Sequence, residues 1–223
     1  MLKDYFASSI GRKQVVAVTG LILIGFLIGH LAGNLIIFLG PLAFNAYAEK
    51  LSHLRPGLYI VEFGLLGIFI VHIYMTATLI LDNIKARGSG YRVKQTQGER
   101  SWAARLMPYT ALAILAFVVW HLLDFTFVDK TGPRSMIGAQ SLGLYGIVYN
   151  SFTDPFHSTL YIIAMAAIGL HLCHGVESCL QTFGFNNDSN MRTVRTFSQW
   201  FAIVISVGFS AIPVYVMIHY HIH

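Results

Sequence analysis

Five apolar stretches, at about 14–39, 58–82, 106–128, 157–181 and 197–219, are each long enough to cross a lipid bilayer, which asks for about 20 residues of helix. That one feature removes most folds from consideration. The connections between the stretches run to about 15–30 residues, so the chain has no room for a water-soluble catalytic domain. The whole chain, 1–223, reads as a single all-α membrane domain of five transmembrane helices, in keeping with 55% hydrophobic and 11% charged residues. The first stretch is too long for a signal-peptide core and no small-residue cleavage site follows it, so it reads as a retained helix.

Lysine and arginine are distributed unevenly. Lys3, Arg12 and Lys13 precede the first stretch, Lys85, Arg87, Arg92, Lys94, Arg100 and Arg105 lie between the second and third, and Arg192 and Arg195 lie between the fourth and fifth. The alternate connections carry Lys50, Arg55, Lys130 and Arg134. Positive residues favour the cytoplasmic side, so the expected topology has the N-terminus in the cytoplasm and the C-terminus outside. The net charge of +5 then reflects topology and gives no nucleic-acid signal. Cys173 and Cys179 lie within the fourth stretch without a C-x-x-C-H, which excludes covalent haem attachment by that motif.

Ionisable residues inside a membrane span are costly and tend to mark function. His30, His72 and His121 lie one in each of the first three spans, and the fourth holds both His171 and His174. A b-type haem needs two neutral imidazoles on different helices at the same depth. At 1.5 Å per residue, His30 and His121 are each roughly 22–24 Å from the inner start of their spans, and His72 and His171 roughly 21 Å from the outer start of theirs. Four histidines therefore resolve into an outer pair, His30 with His121, and an inner pair, His72 with His171. The first four helices are expected to form a bundle binding two b haems, with those four histidines as the axial ligands of the irons. His174 would sit about 4.5 Å deeper than His171 and matches His72 less well, but remains open as the alternative ligand. His53, His157, His219, His221 and His223 lie in or beside connections or at the end of the chain and read as solvated or interfacial. Gly25, Gly29 and Gly33 around His30, and Gly169 and Gly175 around His171, would let either a flat macrocycle or a neighbouring helix approach closely.

Several segments resemble the di-haem cytochrome b membrane-anchor subunit of succinate dehydrogenases and fumarate reductases with a single five-helix anchor. They are Ser9-Ile10-Gly11-Arg12-Lys13 leading to Thr19-Gly20-Leu21, then Gly29-His30-Leu31-Ala32-Gly33-Asn34-Leu35, then Asn45-Ala46-Tyr47-Ala48 with Leu51, and Ala86-Arg87 with Tyr91. The run His171-Leu172-Cys173-His174-Gly175-Val176-Glu177-Ser178 resembles the family's fourth-helix motif, in which the ligand precedes the glycine by four positions. That resemblance selects His171. It also implies that the His72–His171 haem lies nearer the cytoplasmic subunits, that a flavoprotein with FAD and an iron–sulfur subunit are the partners, that menaquinone or another quinone is the membrane substrate, and that the complex sits in the cytoplasmic (inner) membrane of a prokaryote. The dicarboxylate then reacts on a partner subunit, and the anchor does not set the direction, since succinate oxidation and fumarate reduction use the same cofactor chain.

Quinone chemistry couples two electrons to two protons and needs an acid/base group near a haem. Glu62, four residues into the second span, is the first candidate, with pairing to an outer arginine as its structural alternative; Asp124, one turn beyond His121, is the second, and Glu177 lies near the inner end of the fourth span. Arg12, Lys13, Arg87 and Arg105 are placed either to neutralise inner haem propionates or to anchor helix ends. Two other readings are a cytochrome b of the hydrogenase or formate dehydrogenase type, and a haem-free transporter whose histidines relay protons.

Overall fold

The computed structural model describes residues 5, 6, 8–86, 102–185, 187 and 189–222, the last two by backbone alone. Among the described residues the chain folds into five long helices and two short ones, named in chain order: α1 (Ser9–Leu35), α2 (Pro41–His53), α3 (Gly57–Ala86), α4 (Trp102–Phe125), α5 (Gly143–Thr153), α6 (Pro155–Thr182) and α7 (Met191–Ile222). The five long ones are each long and apolar enough to cross a membrane, an arrangement compatible with a multi-pass membrane protein. α3, α6 and α7 run beyond both ends of their apolar stretches, whereas α1 and α4 start earlier than theirs and end at Leu35 and Phe125, short of 39 and 128. Of the predicted basic cluster, Lys3, Arg87, Arg92, Lys94 and Arg100 lie outside the described residues, as do Tyr91 and His223.

Local chemistry sets the helix ends. Ser8 caps α1, its hydroxyl accepting from the Gly11 backbone N–H at 3.0 Å. A short 3₁₀ turn, Ile36–Leu39, carries α1 onward, and Gly40, at φ 91°, lets the chain reverse before Pro41 opens α2. Asp154 caps α6 through the Phe156 N–H at 3.0 Å, with Pro155 at the first helical position. Pro108 and Pro213 both lie inside their helices, α4 and α7.

Neighbouring long helices run antiparallel. Arg12 Nη2 and Asp82 Oδ2, 2.7 Å apart, tie one end of α1 to the far end of α3, and Arg195 Nε lies 3.6 Å from Glu177 Oε1 between α7 and α6 at the same end of the bundle. The middle of the bundle is held by Leu31, Met165, Ile168, Leu172, Ala202 and Ile205, from α1, α6 and α7. Ser206 donates to the Met165 carbonyl at 2.8 Å, and a methyl group at Gly169 would come within 3.1 Å of Ser206 Cβ, so the small residue sets the close α6–α7 approach. No residue of α3 is buried; Ile60, Val61, Phe63, Ile70 and Tyr74 are exposed, while Leu65, Phe69 and Ile73 are half-buried.

The other end of the bundle carries a cap that hydropathy does not reveal. The segment 142–149, apolar enough to suggest an interfacial stretch, forms α5, and Tyr145, Gly146, Ile147 and Val148 are buried within protein. Tyr145 and Val148 join Ile37, Phe44, Phe152, Tyr161, Ile212 and Val216 in one core drawn from the 3₁₀ turn, α2, α5, α6 and α7. Asn45 of α2 locks the cap by donating to the Leu142 carbonyl at 2.8 Å and accepting from the Tyr145 N–H at 3.1 Å.

Candidate functional site

The histidines of the first predicted pair meet. His30 on α1 and His121 on α4 have ring centroids 5.8 Å apart with perpendicular planes, at 89°. Two imidazoles sharing a metal at about 2 Å per bond place their centroids roughly 6 Å apart, so the spacing fits a pair of axial ligands. Aromatic rings surround them. Phe26 stacks on His30 at 5.2 Å, and Phe209 from α7 lies 5.8 Å from it; Phe117, Phe125 and Tyr161 lie 5.6, 5.4 and 6.2 Å from His121. His121 Nδ1 is buried and has no hydrogen-bond partner among the described residues. An orphaned nitrogen of this kind costs about 1–3 kcal/mol, which is the signature of a ring kept for something other than hydrogen bonding.

The second pair is built differently. His72 Nδ1 on α3 lies 3.0 Å from Thr19 Oγ1 on α1, and His171 Nδ1 on α6 lies 3.3 Å from Thr110 Oγ1 on α4. Each threonine already donates its hydroxyl proton backward along its own helix: Thr19 to the Val15 carbonyl at 2.7 Å, Thr110 to the Met107 carbonyl at 3.0 Å. A hydroxyl committed in that way accepts from the histidine, which puts the proton on Nδ1 and leaves the lone pair on Nε2, the form that binds a metal. His171 lies within electrostatic reach of both His72 and His174. Thr110 thus stands to His171 as Thr19 stands to His72. A methyl at Gly20 would lie 3.4 Å from His72 Cε1, so α1 presents its backbone closely to this ring.

The glycines around the histidines divide. At Gly33 an added methyl would collide with the Tyr47 phenol, and Gly169 serves the α6–α7 contact, whereas Gly25 and Gly29 face nothing within 4 Å.

The carboxylates divide too. Glu62 takes its structural alternative: it lies on the exposed side of α3 and pairs with Arg55 at 3.3 Å. Arg55 sits 4.5 Å over the Tyr59 ring, and hydrogen bonding to Tyr59 together with the Glu62 charge raises its proton affinity. Asp124, in contrast, is drawn inward, where it meets His157 Nε2 and Tyr161 Oη, each at 2.8 Å, and Arg134 Nη2 at 3.5 Å. His157, which reads from the sequence as solvated or interfacial, is a correction: its side chain is only 14% exposed. Asp154 and Pro155 start α6 just ahead of it, and α5 folds back over that first turn. Glu177 pairs with Arg195, and Arg105 lies 5.3 Å over the Trp102 ring. His53 pairs with Glu49 at the surface, and His219 stacks on Tyr215.

Both cysteines are free, and Cys179 Sγ donates to the Ala17 carbonyl at 3.6 Å, a role of a buried apolar residue. Among the described residues no cluster of three or more His, Cys, Asp or Glu is placed to hold a bare metal ion. The chain matches no protein-family model, no curated protein and no solved structure.

Proposed function

We propose that this chain is the membrane-anchor cytochrome b of a succinate:quinone or quinol:fumarate oxidoreductase, holding one b haem between His30 and His121 and a second between His72 and His171. The observation that carries the reading is the His30–His121 pair, two imidazoles on separate spans at the spacing of axial ligands, one with an orphaned buried nitrogen. The Thr19 and Thr110 contacts add a second pair with Nε2 left free to bind. Bound haem would supply one-electron transfer between an iron–sulfur partner and membrane quinone.

The chain's own residues do the rest. The threonines fix the ring tautomer and orientation at one pair, the aromatic wall keeps water from the other, and the lipid-facing helices leave soluble chemistry to a flavoprotein and an iron–sulfur subunit. The basic connections favour the cytoplasmic side for the end bearing Arg12 and Arg195. Electrons passed from one face to the other would then move against or with the membrane potential, at about 2.3 kcal/mol per charge per 100 mV. The transporter alternative asks for a continuous hydrogen-bonded chain of histidines; the unpartnered Nδ1 of His121 and the threonine-locked tautomers of the other pair do not make one.

Purification with native partners tests the reading. The expected result is a flavoprotein and an iron–sulfur subunit co-purifying, with succinate-dependent reduction of a quinone that is lost on haem removal. Co-purification of hydrogenase or formate dehydrogenase subunits would move the chain to another quinone-linked cytochrome b.

A further inference from the structure

At the capped end of the bundle, side chains from α4, the loop that follows it and α6 converge on Asp124, and α5 closes the cluster. His157 Nε2 and Tyr161 Oη both contact Oδ2 at 2.8 Å, and Arg134 Nη2 lies 3.5 Å from Oδ1 while donating to Ser151 Oγ at 2.7 Å. His157 Nδ1 is 2.7 Å from the Ser151 carbonyl. Trp120 and Phe152 cover the imidazole at 5.2 and 5.7 Å.

The bonding fixes the protons. A carbonyl only accepts, so His157 Nδ1 carries a hydrogen. Neither a bare imidazole nitrogen nor a carboxylate donates, so a proton must also lie in the 2.8 Å contact between Nε2 and Oδ2. Tyr161 and Arg134 donate toward the carboxylate and favour its anionic form, which leaves that proton on the imidazole. The pair thus stores one proton in a nearly dry setting, while Arg134, with its side chain 43% exposed, reaches toward the surface. His121 lies one helical turn away on α4, and the Tyr161 ring is 6.2 Å from the His121 ring. Among the described residues the charged and titratable groups facing the pair are Arg134, Tyr161 and His121.

We propose that the Asp124–His157 unit, with Tyr161 and Arg134, is the proton-exchange group for quinone chemistry at the His30–His121 end of the bundle. The proposal rests on the haem reading above. A quinol oxidised there becomes a quinone and gives up two electrons and two protons; a haem held by His30 and His121 would supply the oxidant, one electron at a time. The unit first releases its stored proton to water at the Arg134 edge and is then reloaded from a quinol oxygen, once for each electron, and quinone reduction runs the same path in reverse.

The first arm of the test needs neither haem nor quinone. The full chain, labelled with ¹⁵N-histidine in lipid bilayers, is expected to show one ring with a proton at Nδ1 facing the Ser151 carbonyl and a proton in the contact between Nε2 and Asp124, identified by its through-space contact to Tyr161. His157→Gln removes the signal and Asp124→Asn converts it to a neutral ring. A parent chain without such a ring overturns the proposal, and because this arm needs no substitution it decides even if a variant fails to fold. In the second arm, oxidation of a short-chain naphthoquinol by the complex with its partners, measured per haem, is expected to fall about tenfold or more in His157→Gln and in Asp124→Asn, with a flattened pH profile, and about two- to threefold in Tyr161→Phe. Full haem content with rates within about twofold of the parent overturns the proposal and leaves the haem assignment standing. A parent complex without haem overturns the assignment, and the quinone role with it.

Discussion

The two histidine pairs occupy the same kind of helix and yet are held in opposite ways. His72 and His171 have their Nδ1 atoms tied to threonine hydroxyls; His30 and His121 sit among phenylalanines, and His121 Nδ1 has no hydrogen-bond partner among the described residues. A hydrogen bond from Nδ1 orients the ring and makes Nε2 a stronger donor to a metal, whereas an aromatic wall restricts the ring by packing alone. Polar control near one end and steric control near the other would give two haems of unlike ligand basicity in one bundle.

Substitution of the histidines gives the largest effects and tests the pairing outright. His72→Ala and His171→Ala are each expected to remove one and the same haem, and His30→Ala and His121→Ala the other, read as loss of about half the b-type absorbance with distinct spectra for the two sets. A crossed result, with His30 and His72 affecting the same haem, breaks the comparison. Thr19→Val and Thr110→Val should come next. Each leaves a histidine N–H without its acceptor, lowering affinity for that haem about 10- to 100-fold and raising its reduction potential, with no change at the other haem. Gly20→Ala sharpens the same contrast from the backbone side. Its methyl would reach ordinary contact with His72, so the shift should stay within about 1 kcal/mol and appear only in the threonine-held haem. His174→Ala is expected to keep both haems, and loss of one would transfer ligand duty from His171.

The five spans were legible because hydrocarbon imposes a length and composition that few other constraints mimic. The depth match of His30 with His121 was legible for the same reason, since helical rise converts residue number to distance. What escaped was set by tertiary contacts. Nothing in the run Gly143–Thr153 says that Asn45, about a hundred residues earlier, will cap it, and without that cap His157 counts as a residue at a span edge. Glu62 and Asp124 are both carboxylates near span ends; Arg55, one turn before α3 begins to deepen, claims the first, and the fold-back of α5 buries the second. Thr19 stood in a recognisable motif, but its task depends on His72 arriving from another helix.

The central claim is tested most directly by a pyridine haemochrome assay on the purified protein, with haem measured against chain. The account predicts two b haems per chain, falling to one in His121→Ala. One haem or none in the parent would contradict it.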